Sequence, residues 1–168
     1  MNQARNVSQP IIWYQITEKG KVMENRYLYK AKTTPKEKGE FSNVWVIGNL
    51  IVSNGKYYIH PVGNIVKIRN EIGRIIVMHE VIPDTICQCT GLKDKNGKLI
   101  WENDIVRDEH GNFFKAFWQN NYYQFSWIYV KSDVLIGAKW DLWSFRSFEI
   151  EVIGNIFDNP ELLESEEK

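Results

Sequence analysis

Short apolar runs separated by Gly, Asn and Asp extend along this chain, and no long segment repeats apolar residues at helical spacing. The clearest break is Asn54-Gly55, which lies between the apolar runs 44–53 and 56–61. Asn and Gly most readily adopt the positive φ angles that both positions of a two-residue hairpin turn require. The pattern therefore predicts a mainly β protein in which short strands are joined by tight turns.

Residues 94–97 (DKNG) are predicted to form a further turn, which the Asp94 side chain can cap. Asp94, Asn96 and Asp104 could suggest a calcium loop, but an EF-hand loop starting at Asp94 has Ile105 at the position that requires Glu. Asp104 is instead predicted to accept hydrogen bonds from backbone N–H groups of the turn that it follows. The residues assigned to structural turns are Gly91, Asp94, Asn96, Gly97, Asn103, Asp104, Gly154 and Asn155.

Charge and hydropathy narrow the possible partners and location. The 21 Lys and Arg residues balance the 21 Asp and Glu residues, so the chain has no overall bias toward polyanions. Nucleic acid is therefore a possible partner that net charge does not favour. The first ten residues contain no apolar core, and the longest apolar stretch, 44–52, is far too short to span a membrane. We expect a cytoplasmic protein that has no membrane partner.

Two cysteines and three histidines are the candidate metal ligands: Cys87, Cys89, His60, His79 and His110. Structural zinc sites usually place two to four residues between paired cysteines and use four ligands. Here a single residue separates the cysteines, and no paired histidine motif follows. The sequence therefore predicts thiols that pack in the core, with no metal and no cofactor.

Catalysis has no strong candidate in the sequence. Glu149 and Glu151 alternate on one face of a predicted strand, 148–152, and resemble a carboxylate pair. A solvated strand face explains the same spacing without chemistry. The sequence contains no nucleophile elbow, Gly-rich phosphate loop or zinc-protease motif. We expect a protein that is not an enzyme.

Aromatic residues are concentrated late in the chain, where 13 of the 23 lie between residues 113 and 148. Phe113 and Phe117 fall on one face of the predicted strand 112–118, and Phe114 and Trp118 fall on the other. A small barrel has one interior, so rings on both faces require either another chain, domain or ligand, or cover from the N-terminal strands. The predicted interaction surface comprises Trp118, Tyr123, Phe125, Trp127, Tyr129, Trp140 and Trp143.

The aromatic residues are compatible with two functions. The first is a non-enzymatic module that binds another protein or further copies of itself through its aromatic surface. The second is a nucleic-acid-binding module, because single strands stack their bases on aromatic rings in basic grooves. Between residues 113 and 148 the basic residues are Lys115, Lys131, Lys139 and Arg146. The aromatic rings needed for base stacking are present, but few positive charges accompany them. This favours a protein partner over a nucleic acid.

Two strings carry a resemblance to a known family. Residues 85–106 read TICQCTGLKDKNGKLIWENDIV, and residues 150–163 read IEVIGNIFDNPELL. They resemble the YopX-like family, whose typical segments run T-G-L-K-D-K-N-G-K, E-G-D-I-V and V-I-G-N-I-x-x-N-P-E-L-L. YLYKAK at 27–32 and WVIGNL at 45–50 resemble its opening strand and its W-x-x-G-x-L segment.

Two positions depart from the family pattern. Asn103 replaces the usual Gly of E-G-D-I-V, and Asn is among the residues best able to keep a positive φ. Lys30 stands where the family often has Arg. The resemblance implies a small SH3-like barrel in the C-terminal half and a gene carried by a phage or prophage. It implies no established activity, cofactor or catalytic residue.

Together, the residues and the resemblance predict a mainly β fold with additional N-terminal strands, an SH3-like barrel and a short C-terminal helix. Asn159 and Pro160 suit the start of that helix as N-cap and first helical residue. The predicted divisions are an N-terminal extension at 1–25, an N-terminal β region at 26–86, the SH3-like barrel at 87–158, and a short helix with a frayed tail at 159–168.

Overall fold

The computed structural model describes residues 25–35, 42–61, 66–67, 74–75, 78–131, 137–141 and 149–163. These residues form thirteen strands and a few short 3-10 turns, so the predicted mainly β fold is confirmed. The strands are β1 Tyr29–Lys32, β2 Trp45–Ser53, β3 Lys56–Pro61, β4 Val66–Lys67, β5 Arg74–Ile75, β6 His79–Glu80, β7 Cys87–Lys93, β8 Leu99–Trp101, β9 Asp104–Arg107, β10 Phe113–Gln119, β11 Gln124–Lys131, β12 Lys139–Asp141 and β13 Glu151–Asn155. Among the described residues, no helix has the length and apolar character needed to cross a membrane.

The first sheet has six strands in the order β6-β3-β2-β1-β7-β8. Its longest hairpin joins β2 to β3, and Ser53 pairs with Lys56 next to the turn. Asn54 and Gly55 have φ angles of 51° and 72°, which confirms the predicted two-residue turn with positive φ at both positions. A separate antiparallel pair joins β4 to β5.

The second sheet has five strands in the order β12-β11-β10-β9-β13. The β10–β11 hairpin is its longest pairing and runs from Phe113 opposite Lys131 to Gln119 opposite Gln124. Strand β11 begins at Gln124, because residues 120–123 form the hairpin loop. Neither sheet closes into a barrel within the described residues.

In the part of the chain that the structure describes, three apolar clusters hold the sheets together. The largest lies on the five-stranded sheet and is built around Phe114, Trp127 and Ile150. The other two lie on the six-stranded sheet, one around Cys87 and Trp101 and the other around Ala31, Ile59 and Val81. Successive residues of β8 point to opposite sides, so Ile100 joins the first cluster while Leu99 and Trp101 join the second. Strand β8 therefore contributes side chains to the cores of both sheets.

Strand pairing continues across residue 87, where the sequence predicts the start of the barrel. Cys87 and Gln88 pair with Lys30 and Tyr29, so β7 belongs to the same sheet as the N-terminal strands. At the other end, residues Pro160–Leu163 form a 3-10 turn, where the sequence predicts a short helix. The predicted N-terminal extension at 1–25 lies outside the described residues, apart from Asn25.

Candidate functional site

The turn at 94–97 is organised by the buried carboxylate of Asp94. Asp94 Oδ1 accepts hydrogen bonds from the backbone N–H groups of Asn96 and Lys98, both at 2.9 Å. Asp94 Oδ2 accepts a third from the backbone N–H of Val152 at 3.0 Å. The side chain thus caps its own turn and also ties that turn to β13 in the other sheet, a link that local turn chemistry does not reveal.

The remaining turn residues supply unusual backbone conformations or close packing. Gly91, Gly97 and Asn103 have φ angles of 83°, 80° and 65°. A Cβ atom on Gly154 would lie 2.5 Å from Asn159 Oδ1, so only glycine allows the 160–163 turn to pack this closely. Asn155 Oδ1 accepts hydrogen bonds from the backbone N–H groups of residues 157 and 158 at 2.9 and 3.0 Å, which fixes the loop after β13.

An ion pair buried between the sheets joins β1 to β9. Lys30 Nζ donates to Asp104 Oδ1 at 2.6 Å, and the exposed fractions of the two side chains are 11% and 2%. Asp104 Oδ2 accepts the backbone N–H of Trp101 at 2.9 Å, so both carboxylate oxygens have partners. The Lys30 ammonium also lies 4.9 Å and 5.6 Å from the ring centroids of Trp45 and Trp101.

A second polar contact joins β2 to the loop after β13. Trp45 Nε1 donates to Asp158 Oδ2 at 2.7 Å, and Lys32 Nζ lies 2.6 Å from Asp158 Oδ1. The Trp45 ring meets Phe157 edge to face at a centroid distance of 5.8 Å. We call the set Lys30, Lys32, Trp45, Asp104 and Asp158 the sheet junction.

The two carboxyl groups of the sheet junction have opposite pKa shifts. Burial raises the pKa of Asp104, and the Lys30 ammonium opposes that rise. Partial burial acts to raise the pKa of Asp158 as well, but hydrogen bonds from Asn155, Lys32 and Trp45 outweigh it and lower the pKa. No buried side-chain N or O atom in the described residues is without a hydrogen-bond partner. Both carboxylates of the sheet junction thus have partners within the chain, which is typical of a structural site.

The candidate metal ligands do not come together in the described residues. No group of three or more His, Cys, Asp or Glu side chains there could hold an ion. Cys87 and Cys89 are buried in the six-stranded sheet, and burial raises the pKa of Cys87 to about 12. Its thiol therefore stays protonated near neutral pH and is a poor nucleophile.

The carboxylate pair also has a structural explanation. Glu151 Oε2 lies 2.8 Å from Lys95 Nζ and 3.6 Å from Arg107 Nη2. The hydrogen bond from Lys95 is the largest cause that lowers the pKa of Glu151, so this carboxylate is ionised at neutral pH and suits an ion pair better than proton transfer. Glu149 is half-buried and precedes β13, which begins at Glu151, so the two carboxylates do not share one strand face as the sequence predicts.

The aromatic residues divide between the core and the end of the β10–β11 hairpin. Trp127 is fully buried and Tyr129 is 8% exposed, so these two rings belong to the core and not to an exposed surface. Trp118, Tyr122 and Tyr123 are 38%, 68% and 82% exposed. We call Trp118, Tyr122, Tyr123 and Phe125 the hairpin tip.

The hairpin tip has a defined geometry. Trp118 and Phe125 face each other across the strands with ring centroids 5.1 Å apart, in an edge-to-face arrangement. Tyr123 has a φ of 53°, which is a rare conformation for a large side chain. Trp140 lies on β12, where its backbone pairs with that of Trp127 on β11. The side chain of Trp140 and the whole of Trp143 lie outside the described part of the structure.

Sequence reasoning missed the partners that form the sheet junction. Lys30 and Asp104 are 74 residues apart, and Trp45 and Asp158 are 113 residues apart. The available signal was the resemblance, because its four segments each supply residues to the sheet junction or its supporting turns. The similarity strings therefore mark where the two sheets meet.

One comparison with known proteins identifies a family, and another finds no relative. A family model described as YopX protein matches residues 21–164, which is most of the chain. No curated protein matches the chain.

Proposed function

The chain belongs to the YopX family, and we propose that it is a non-enzymatic protein that binds a protein partner, including further copies of itself, through the hairpin tip. The observation that carries the proposal is Tyr123, whose ring is 82% exposed on a backbone with φ of 53°. A non-glycine residue held in this region costs about 1–3 kcal/mol, and such outliers cluster at functional sites. Here the unfavourable conformation serves to present a ring to solvent.

The composition of the hairpin loop favours protein recognition. Residues 119–124 read QNNYYQ and contain no charged side chain. Tyrosine supplies a large contact area with few rotatable bonds, and asparagine supplies adaptable hydrogen bonds. Trp and Tyr are also the residues most enriched in the energetically dominant parts of interfaces. The loop therefore has the chemistry of a protein-binding loop.

The strands beneath the loop support a fixed presentation of these rings. Ser126 Oγ donates to Gln119 Oε1 at 2.8 Å, and Gln124 Nε2 lies 3.5 Å from the same hydroxyl. Trp118 packs edge to face on Phe125 in the next cross-strand layer. A loop that is already ordered loses less conformational entropy when it binds, which favours affinity for a given contact area.

Local charge supports a protein partner over a nucleic acid. A carboxylate lies beside the hairpin tip, where Glu102 Oε1 accepts the backbone N–H of Trp118 at 3.4 Å. Phosphate backbones bind through Lys and Arg, and an adjacent carboxylate repels them. Nucleic-acid binding by a small barrel is the alternative proposal that the test below includes.

The test measures self-association by light scattering over a concentration series. The wild-type chain is expected to gain apparent mass with concentration, and a Tyr122→Ser/Tyr123→Asn double variant is expected to stay monomeric. Val52→Thr is the matched control, because Val52 is 59% exposed on the β2–β3 hairpin of the other sheet, and it should behave as wild type. A wild-type monomer at every concentration would exclude self-association.

Oligonucleotide titration at low salt separates the two partner classes. Single- and double-stranded probes should show no binding that depends on Tyr122 and Tyr123, because the hairpin loop carries no positive charge. Binding that is lost in the double variant and weakens steeply with salt would replace the protein-partner proposal with the nucleic-acid alternative.

Two contacts support an SH3-like arrangement of the C-terminal strands as a finer part of the proposal. Lys95 N donates to Ile150 O at 2.9 Å, and Val152 N donates to Asp94 Oδ2, so the β7–β8 turn bonds to β13. Ile100 also packs in one core with Phe114. We further propose a phage or prophage gene and a cytoplasmic location in the bacterial host, which the gene neighbourhood and cell fractionation would test.

A further inference from the structure

Two Asn-Gly dipeptides occur in nearly identical local sequences, Ser-Asn-Gly-Lys at 53–56 and Lys-Asn-Gly-Lys at 95–98. Asn-Gly is the dipeptide most prone to spontaneous deamidation, because glycine has no Cβ to hinder the reaction at its backbone nitrogen. In a disordered chain the two sites would react at similar rates. Any difference in the folded chain must therefore come from the structure that surrounds each dipeptide.

The reaction involves only the chain and water. The backbone nitrogen of the glycine loses its proton and attacks Asn Cγ, and the bond between Cγ and Nδ2 breaks to release ammonia. Water then opens the resulting cyclic imide at either carbonyl, giving aspartate or isoaspartate, with no change of oxidation state. A backbone N–H that is free to lose its proton and an unrestrained side-chain amide therefore favour the reaction.

Residues 95–98 restrain both groups. Gly97 N donates to Asp94 O at 2.9 Å, and Asn96 Nδ2 lies 3.4 Å from Glu151 Oε1. Asn96 N is also held by Asp94 Oδ1 at 2.9 Å. The attacking nitrogen and the amide that must leave are both in contacts that the reaction would break.

Residues 53–56 lie in a different environment. Asn54 and Gly55 are both exposed, and no atom lies within 4 Å of the position of a Cβ on Gly55. In a two-residue turn of this kind, the ladder hydrogen bonds are made by the residues on either side of the turn, here Ser53 and Lys56. We propose that Asn54 is a site of spontaneous deamidation in the folded protein, and that the fold protects Asn96 from the same reaction.

The product would alter the β2–β3 hairpin. Aspartate adds a negative charge at the end of the hairpin, and isoaspartate adds a backbone methylene. The turn joins Ser53 to Lys56 with two residues whose φ angles are 51° and 72°. An extra backbone atom lengthens this connection, so isoaspartate must change the pairing of Ser53 with Lys56. This modification is independent of the proposed binding function, because Asn54 lies in the other sheet from the hairpin tip.

The experiment incubates the full-length chain in mildly alkaline buffer and follows the two peptides by mass spectrometry. Replacement of the amide by a carboxyl group should appear at Asn54 at least about tenfold faster than at Asn96, the factor expected when a few hydrogen bonds must break first. In denaturant the two rates should converge, and in an Asn54→Asp variant the mass change at 53–56 should be absent. Equal rates in the folded chain, a faster reaction at Asn96, or a folded chain in which neither site reacts would each overturn the proposal.

Discussion

The sheet junction and the hairpin tip each contain a tryptophan, but the contacts of the aromatic rings in the two regions differ. At the sheet junction, Trp45 donates to Asp158 and lies against two lysine ammonium groups, so the ring and its polar atom are both satisfied within the chain. At the hairpin tip, Tyr122 and Tyr123 extend into solvent. Trp45 therefore stabilises the fold through its partners within the chain, whereas Tyr122 and Tyr123 are the rings that we propose bind a partner.

Substitutions in the two regions should therefore affect the free energy of unfolding differently. Changes at the sheet junction should alter the free energy of unfolding, because they leave buried groups without partners. Changes at the hairpin tip should leave the free energy of unfolding nearly constant, because the exposed rings gain little burial when the chain folds.

Asp104→Asn should lower the free energy of unfolding by about 3–5 kcal/mol, because it leaves the Lys30 ammonium buried without a counter-charge. Urea unfolding followed by tryptophan fluorescence measures the change. Glu109→Gln is the control, since Glu109 and His110 form an exposed pair at 3.6 Å, and it should change stability by less than about 1 kcal/mol. A Lys30→Met/Asp104→Asn double variant should recover part of the loss. An Asp104→Asn chain as stable as wild type would contradict the assignment of this ion pair as an essential buried contact.

Trp45→Phe and Trp118→Phe make the same chemical change in the two regions. The first removes the N–H that bonds to Asp158 at 2.7 Å and should lower the free energy of unfolding by about 0.5–1.5 kcal/mol, the range for an ordinary hydrogen bond, because solvent screens the partly exposed Asp158 carboxylate. The second keeps an aromatic ring at the hairpin tip and should cost less than about 0.5 kcal/mol, as is usual at exposed positions. Equal losses in parallel urea titrations would remove the distinction between the regions.

The features that could be predicted from the sequence are those whose interacting residues lie close together along the chain. The Asn54-Gly55 turn could be predicted because it depends on the conformational preferences of two adjacent residues, and the structure gives both a positive φ. The ion pair between Lys30 and Asp104 could not, because alternation and turn chemistry are local and say nothing about a residue 74 positions away.

Burial of the aromatic strands shows the same limit. Alternation along β11 places Phe125, Trp127 and Tyr129 on one face, but it does not say which face is turned inward. The structure turns that face toward Phe114 and buries Trp127 completely. Rings at the loop end of the same face remain half-exposed, because the core ends before the hairpin does. Exposure along one face thus depends on where the opposing layer stops.

Asp158→Asn tests how the sheet junction contributes to stability at acidic pH. The pKa of Asp158 is lower in the folded chain than the ordinary value of about 3.9, so its contribution to stability is fully present above that value and is lost as pH falls through the folded pKa. The Asn variant should therefore lose less stability than wild type between neutral pH and about pH 3, by roughly 1 kcal/mol or less because the carboxylate is partly exposed. Urea midpoints measured at several pH values provide the test, and identical pH profiles would contradict it.

Tyr123→Asn should have the smallest effect on stability and is the most informative for the hairpin tip. Asparagine adopts positive φ more readily than tyrosine, so the free energy of unfolding should stay constant or rise by up to about 1 kcal/mol. Self-association should weaken in the same variant, because the most exposed ring of the hairpin tip is gone. A purely structural role for Tyr123 predicts the opposite pair of results, a loss of stability with association unchanged. Measuring both quantities on one sample therefore separates a ring kept for folding from a ring kept for binding.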